Sequence, residues 1–326
     1  MPKYLSHLLK AAIACTLVYL IVTMVDLERT MEVLIDISPL FFGLAVCFAI
    51  LDQVILGFKW NILLRVFGIH ISSRIPILAY LRGKAFEIAA PSTLGVDAFK
   101  LYHIKSSAEV DADKVMSSIV VERFFGALSS FLVIGLMFWF AIEPFGWAFR
   151  AELAALALVG TALLLLIVKM LLGQADRAIG FTAWSKLPTS IQDLITKVVS
   201  NLQAINSDTS QVYKYLAFSC IEKFSYGIII CLCAKAIGGI EGVDYLFILA
   251  ATPLMALLER LPISLAAIGV REGFYMLLFA PFTDDTAAIL AVALAVRACE
   301  FTMIALVSVT WVGKLTDWKT AATASV

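Results

Sequence analysis

Long apolar runs separated by short polar stretches make up most of the chain. Six of them are long enough to cross a bilayer as helices: 8–25, 39–58, 115–141, 152–172, 213–238 and 286–312. A hydrocarbon core of about 30 Å requires roughly 20 apolar helical residues. The pattern therefore predicts an all-α polytopic membrane protein whose two ends lie on the same side of the membrane.

Two further apolar segments, 246–258 and 268–280, are too short to cross, because 13 residues of helix extend only about 20 Å. The corresponding region of the first half, about residues 75–105, is interrupted by four charged residues and a proline: Arg82, Lys84, Glu87, Pro91 and Asp97. Irregular backbone at membrane depth is tolerated only inside protein or beside water. Each region is therefore predicted to be a re-entrant hairpin of two half-helices, and the hairpins are expected to meet in the interior.

The chain contains an internal repeat. Residues 90–97 and 261–272 both contain a proline followed by a Gly-Val pair, and an arginine follows each pair 28 residues later, at Arg123 and Arg297. Three predicted crossings separate the starts of the two units, so the second unit is inverted relative to the first. Inverted repeats with interrupted helices are typical of alternating-access transporters. Upstream, five residues recur at an offset of 170: Phe48, Asp52, Gly57, Arg65 and Gly68 match Phe218, Glu222, Gly227, Lys235 and Gly238.

We predict a single membrane domain over residues 1–326. Its parts are a first helix with an outer loop (1–38), repeat 1 (39–172, hairpin at about 75–105), a cytoplasmic amphipathic loop (173–212), repeat 2 (213–313, hairpin at about 246–280) and a cytoplasmic tail (314–326). Apolar residues at helical spacing between 191 and 202 indicate a helix lying on the inner membrane surface.

Composition and charge agree with this organisation. Hydrophobic residues account for 61% of the chain and charged residues for 15%, which is far more apolar than a soluble domain. The 25 basic and 25 acidic residues cancel, so nothing indicates nucleic acid binding. With the N-terminus inside, the cytoplasmic segments carry 16 basic residues and the outer segments carry two. This bias places both termini in the cytoplasm, and we expect the cytoplasmic (inner) membrane of a bacterium or archaeon.

The two Gly-Val sites are the main candidates for substrate binding. Each lies at a predicted helix start, where free N–H groups and the helix dipole attract an anion. Arg271, in the first turn of the outgoing half-helix, could hold a phosphate bidentately. Alternatively, it could pair with Glu272 or Asp97 and only join the hairpins. The predicted substrate-binding residues are Arg82, Gly95, Arg123, Gly269, Arg271 and Arg297.

Acidic residues accompany these arginines and are predicted to orient them or to carry protons. Arg297 and Glu300 share a helix face and could form a structural ion pair. Adjacent Glu122 and Arg123 cannot face one another, so each needs a partner elsewhere. Glu222 lies deep enough to carry a coupling proton; a packed, neutral or paired acid is the alternative. The full acidic set is Asp97, Glu122, Glu222, Glu259, Glu272 and Glu300.

No cofactor, metal site or catalytic residue is expected from the sequence. The six cysteines all lie in apolar segments, where a disulfide framework or a zinc site has little support. No two of the three histidines, His7, His70 and His103, have the spacing of metal ligands. The chain also contains no phosphate-binding loop, serine triad or nucleophile elbow.

Four segments resemble the transmembrane family of lysylphosphatidylglycerol synthases, a flippase-like family that includes the flippase domain of the multiple peptide resistance factor. The resemblance covers about residues 10–315 and implies a translocase for phospholipids, modified phospholipids, or polyprenyl- or hopanoid-type lipids. Ala266 and Ala267 stand where a glycine is common. The soluble aminoacyl transferase domain of the synthases is not found, so that catalysis is not implied. The segments are 57–60 (GFKW), 91–97 (PSTLGVD), 122–126 (ERFFG) and 261–273, from LPIS to GVREG.

The leading hypothesis is therefore a lipid flippase in which the arginines hold a lipid phosphate and the acids orient them or exchange protons. One alternative is a membrane enzyme, or an enzyme subunit, that modifies lipid headgroups. Another is a proton-coupled transporter of a small soluble anion. Membrane lipids are the predicted substrate, while homo-oligomerisation and a partner lipid-modifying enzyme are left open.

Overall fold

A computed structural model describes residues 19, 23, 25–89, 94–140, 151–152, 154–155, 157–162, 196, 209–238, 240, 242–258 and 269–323. The described part is predominantly helical and contains no strand. The helices with described bounds are α1 (Leu27–Ile35), α2 (Pro39–Val66), α3 (Arg74–Ala89), α4 (Leu94–Ser107), α5 (Ala112–Phe140), α6 (Thr209–Ala236), α7 (Tyr245–Leu258), α8 (Val270–Phe279) and α9 (Thr286–Thr323).

Four of the six predicted crossings are confirmed as helices long and apolar enough to span a membrane. They cover Pro39–Val66 in α2, Ala112–Leu136 in α5, Ser210–Ala236 in α6 and Thr286–Val309 in α9. The predicted crossings 8–25 and 152–172 lie largely outside the described residues, as does the amphipathic helix expected between 191 and 202.

The internal repeat predicted from the sequence is visible in helices α2 and α6. Both contain 28 residues, and both begin and end 170 positions apart. They also end in the same way, because Gly68 and Gly238 follow them with positive φ angles of 73° and 98°. Their N–H groups donate back to Arg65 O at 2.9 Å and Lys235 O at 3.3 Å. A left-handed glycine is a common way to terminate a helix.

Glycines in the middle of α2 and α6 allow the next helix of each repeat to pack closely. A Cβ added to Gly57 would lie 2.4 Å from Ile77 Cα in α3. A Cβ added to Gly227 would lie 2.8 Å from Leu249 Cδ2 in α7. The added methyl group would meet backbone at Gly57 and the end of a side chain at Gly227, so in both halves the glycine lies where the next helix packs closely.

Helices α2 and α6 pack against one another in antiparallel orientation. Ser38 N–H donates to Ala236 O at 2.6 Å at one end of the contact. Towards the other end, the rings of Phe58 and Phe218 lie 6.0 Å apart. Because these two helices are equivalent in the repeat, their opposite directions mean that the halves are inverted. The equivalent residues Asp52 and Glu222 lie near the middle of this contact, which we call the central crossing.

Short helices fill the positions predicted for the hairpins. Helices α3 and α4 form an antiparallel pair in which Phe86 stacks on Phe99 at 4.6 Å and Lys100 reaches Tyr80 at 2.9 Å. Helices α7 and α8 contain 14 and 10 residues, about 21 and 15 Å, which is too short to cross a membrane. Each repeat also packs on the other, because α7 contacts α5 and α3 contacts α9.

Candidate functional site

The first repeat places an arginine against a carboxylate at the start of a short helix. Asp97 lies in the first turn of α4, and Arg123 reaches it from α5. Arg123 Nη2 donates to Asp97 Oδ1 at 2.9 Å, and Arg123 Nε donates to Oδ2 at 3.1 Å. This bidentate contact matches the fork of the guanidinium group. The Arg123 side chain is nevertheless 35% exposed.

The second repeat builds the equivalent contact. Glu272 lies in the first turn of α8, and its Oε1 accepts from Arg297 Nη2 of α9 at 2.6 Å. Its Oε2 accepts from the Gly269 N–H at 2.7 Å. Gly269 caps the helix with a φ of 81°, a conformation that glycine adopts most readily. The carboxylate therefore occupies the anion position at this helix N-terminus.

A further ion pair crosses between the same two helices. Arg271 Nη1 of α8 donates to Glu300 Oε2 of α9 at 2.7 Å. Glu300 was not among the partners considered for Arg271 from the sequence. Arg297 likewise contacts Glu272 rather than Glu300. Each arginine reaches across the helix interface, because a partner on a packed neighbouring helix can face it directly in the interior.

Glu122 belongs to a separate buried cluster in the first repeat. It accepts from Lys100 Nζ at 2.5 Å and from the Tyr80 hydroxyl. The Lys100 ammonium also lies 4.3 Å from the Trp60 ring centroid and 4.2 Å from that of Tyr80, a geometry favourable for cation–π attraction. The prediction that Glu122 and Arg123 need separate partners is confirmed. Lys100 was missed, although it follows Asp97 by one turn of α4.

The central crossing holds a third cluster. Glu222 Oε2 of α6 accepts from Lys59 Nζ at 2.9 Å and from Lys223 Nζ at 3.1 Å. Asp52 of α2 accepts from Gln53 Nε2 at 2.9 Å and from the Ser225 hydroxyl. Of the readings considered for Glu222, the structure supports the paired acid. Lys59 was missed as a partner because the contact joins residues far apart in the chain.

Comparison with known proteins identifies the family. Residues 7–308 match the profile of the lysylphosphatidylglycerol synthase transmembrane region. The chain belongs to this family. A UPF0104 membrane protein from Methanocaldococcus jannaschii is 26% identical over 146 residues, covering 42% of this chain and 44% of that protein. The chain thus aligns with less than half of that relative's length. No solved structure matches significantly.

Membership of the lysylphosphatidylglycerol synthase transmembrane-region family, together with the four long apolar helices, makes this an integral membrane protein. The remaining predicted residues are placed as follows. Arg82 lies partly buried on α3 near His103 of α4, and Gly95 lies in the first turn of α4. Glu259 lies outside the described residues. Within the described ranges, no three His, Cys, Asp or Glu side chains are grouped as metal ligands.

Proposed function

We propose that this protein is a lipid transporter that moves an anionic phospholipid, or another phosphate-bearing lipid, between the two leaflets. The observation that carries the proposal is the repeated contact between an arginine of a long helix and a carboxylate in the first turn of a short helix. Asp97 and Arg123 form it in one repeat, and Glu272 and Arg297 form it in the other. Both contacts belong to inverted halves of one membrane protein.

The chemistry of these sites suits a phosphate group. The Glu272 carboxylate is held by an arginine and by a backbone N–H at a helix N-terminus. A phosphate oxygen accepts from the same two kinds of donor. The lipid headgroup would replace or share this carboxylate, and its acyl chains would stay in the bilayer. Arg123 is more exposed than Arg271 and Arg297 and would meet the headgroup first.

Pairing with carboxylates also explains how charged arginines can lie inside a membrane before a substrate binds. A charged side chain at membrane depth is costly when it is alone. In this protein Arg123, Arg271 and Arg297 are each paired with an acid, and they would stay paired until a substrate arrives. Exchanging one anion for another never leaves the guanidinium unpaired, so the barrier to binding and release stays low. Asp97 and Glu272 are the acids that would give up their arginines.

Alternating access follows from the inverted halves. The α3–α4 pair and the α7–α8 pair would act as re-entrant hairpins that enter from opposite sides of the membrane. The distribution of basic residues supports an orientation with both termini in the cytoplasm. The site between the hairpins would then open to each leaflet in turn. The lipid would move when the short helices change the contacts that they make with α5 and α9.

Movement of fluorescent anionic and zwitterionic phospholipids across vesicles containing the purified protein tests this function. A membrane-impermeant quencher reports how much labelled lipid has reached the inner leaflet. Wild type should move anionic lipid, and Arg123→Gln and Arg297→Gln should slow it. Loss of a charge-assisted hydrogen bond costs about 1.5–3 kcal/mol, which corresponds to about a ten- to hundredfold slower movement.

Arg29→Gln is the matched control, because Arg29 also pairs with a carboxylate, that of Asp285 at 2.6 Å, but lies 60% exposed outside the long helices. It should leave lipid movement unchanged. If the folded wild type moved no lipid, the proposed function would be wrong. Uptake of a soluble anion, or chemical change of a headgroup in the same vesicles, would then identify a soluble-anion transporter or an enzyme.

A further inference from the structure

Asp52 differs from the other buried acids of the interior. Five carboxylates of the described core, those of Asp97, Glu122, Glu222, Glu272 and Glu300, each contact a lysine or arginine nitrogen at 2.5 to 2.9 Å. Asp52 is 8% exposed, and its hydrogen bonds in the described part come from the Gln53 amide and the Ser225 hydroxyl. An ionised carboxylate buried among neutral donors is costly, and binding a proton removes that cost.

The direction of the Ser225 hydrogen bond depends on whether the Asp52 carboxylate is protonated. The Ser225 oxygen lies beside Asp52 Oδ1 and also 2.7 Å from the backbone oxygen of Glu222. A hydroxyl has one proton, so it can donate to only one of these two acceptors at a time. When Asp52 is ionised, Ser225 donates to it. When Asp52 is protonated, the acid O–H donates to Ser225, and the hydroxyl proton turns to the Glu222 carbonyl.

The charges around Asp52 come from several packed helices. Asp52 interacts electrostatically with Glu222 of α6, with Lys84 of α3 and with Lys59 of its own helix, α2. Lys59 and Lys223 both bind Glu222, and Lys59 also acts on Glu122 of α5. Glu300 of α9 is bound by Arg271 and also interacts electrostatically with Lys84. Lys59 and Lys223 thus contact the Glu222 carboxylate, whereas the hydrogen bonds of Asp52 in the described part come from neutral groups.

We propose that Asp52 and Ser225 form the proton-binding site that couples lipid movement to pH, resting on the proposed function as a lipid transporter. One proton from water is taken up by the Asp52 carboxylate and later returned to water, with no other bond made or broken. The site lies at the central crossing, where the two inverted halves meet. The turn of the Ser225 hydroxyl changes a backbone hydrogen bond of α6, next to the carboxylate that binds Lys59.

Asp52, rather than Glu222, is thus assigned the proton. The two residues are equivalent in the repeat and lie in the same contact, but their partners differ. Glu222 binds two ammonium groups, which stabilise its ionised form. This difference between equivalent positions predicts that only one of the two acids changes its protonation when the pH changes.

Infrared difference spectroscopy of the purified full-length protein in lipid nanodiscs measures this protonation directly. The pH is stepped between about 8 and 5, where exposed carboxyl groups remain largely ionised. Wild type should gain the carbonyl band of a protonated carboxylic acid at the lower pH, with a shift in deuterated water. Asp52→Asn should lose this band. Glu222→Gln is the matched control and should keep it. Ser225→Ala should keep the band at a shifted frequency.

An unchanged band in Asp52→Asn, or no band in wild type, would overturn the assignment. Disappearance of the band on adding sodium at constant pH would overturn it too, because the oxygens would then bind a cation. Should Asp52→Asn fail to fold, Asp52→Glu must show a displaced band. The spectrum needs no lipid movement, so a wild type that keeps the Asp52 band but moves no lipid contradicts only the proposed function. Lipid movement with the same pH dependence in Asp52→Asn contradicts only the proton site.

Discussion

The two repeats share one arrangement and differ in what surrounds it. Each holds a first-turn carboxylate against an arginine 25 or 26 residues later in the chain, as Glu272 with Arg297 and Asp97 with Arg123. The first repeat adds the Lys100 and Glu122 pair, whereas the second has Phe274 and Val296 at an offset of 174. The second repeat instead adds the pair of Arg271 with Glu300.

This comparison separates two kinds of buried charge. The contact present in both halves lies at a helix start and includes arginines with exposed surface, which is what an anion-binding site needs. The contacts present in only one half are more deeply buried on their basic side, where Lys100 is 1% exposed and Arg271 is 7% exposed. We therefore expect the shared contact to govern transport, and the unshared contacts to govern mainly the stability of each half.

The largest expected effect comes from breaking the Lys100 and Glu122 pair. Lys100→Met should lower the free energy of unfolding by about 3–5 kcal/mol, because it leaves the Glu122 charge buried without its cation. The double variant Lys100→Met with Glu122→Leu should recover most of that loss. Denaturant unfolding in detergent micelles measures both. If the double variant were no more stable than Lys100→Met, the loss would come from packing rather than from the uncompensated charge.

A smaller effect is expected at the two packing glycines, and it should be unequal. Gly57→Ala should cost about 1–3 kcal/mol, because the added methyl group meets the backbone of Ile77 and a helix must move. Gly227→Ala should cost less, since its nearest contact is the end of the Leu249 side chain, which can rotate. Gly43→Ala, with nothing within 4 Å of the new methyl group, is the control. Equal losses at positions 57 and 227 would contradict this account of the close approach.

The smallest effect should appear when the arginines are exchanged for lysine. Arg123→Lys should slow lipid movement more than Arg297→Lys, because Arg123 donates two nitrogens to one carboxylate and lysine cannot reproduce that fork. Arg297 donates a single hydrogen bond to Glu272, which an ammonium group can replace. The vesicle assay measures both rates. A larger loss in Arg297→Lys would indicate that the second repeat binds the headgroup more directly.

Much of the fold was predictable from the sequence. The runs of apolar residues predicted the four long helices, because a membrane crossing demands a length and composition that few other structures require. The short apolar segments predicted α7 and α8 almost to the residue. The offset of 170 matched Gly68 to Gly238, and the structure gives both glycines a positive φ angle.

The arginines that form interior ion pairs were predictable from the sequence, but their partners were not. The sequence identified Arg123, Arg271 and Arg297 as charged residues in apolar surroundings. Pairing by proximity in the chain would have joined Arg297 to Glu300, yet the structure joins it to Glu272. Lys59 and Lys100 were not selected, because their partners Glu222 and Glu122 lie on other helices.

The sequence by itself determined that this is an all-α membrane protein with charged residues inside apolar segments and with matching residues 170 positions apart. Those features depend on local composition and on spacing along the chain, which the sequence states directly. Only the tertiary structure decided which acid faces which base, and that Asp52 and Ser225 meet across the central crossing. An ion pair depends on which helix faces pack together, and this is fixed by contacts between residues far apart in the chain.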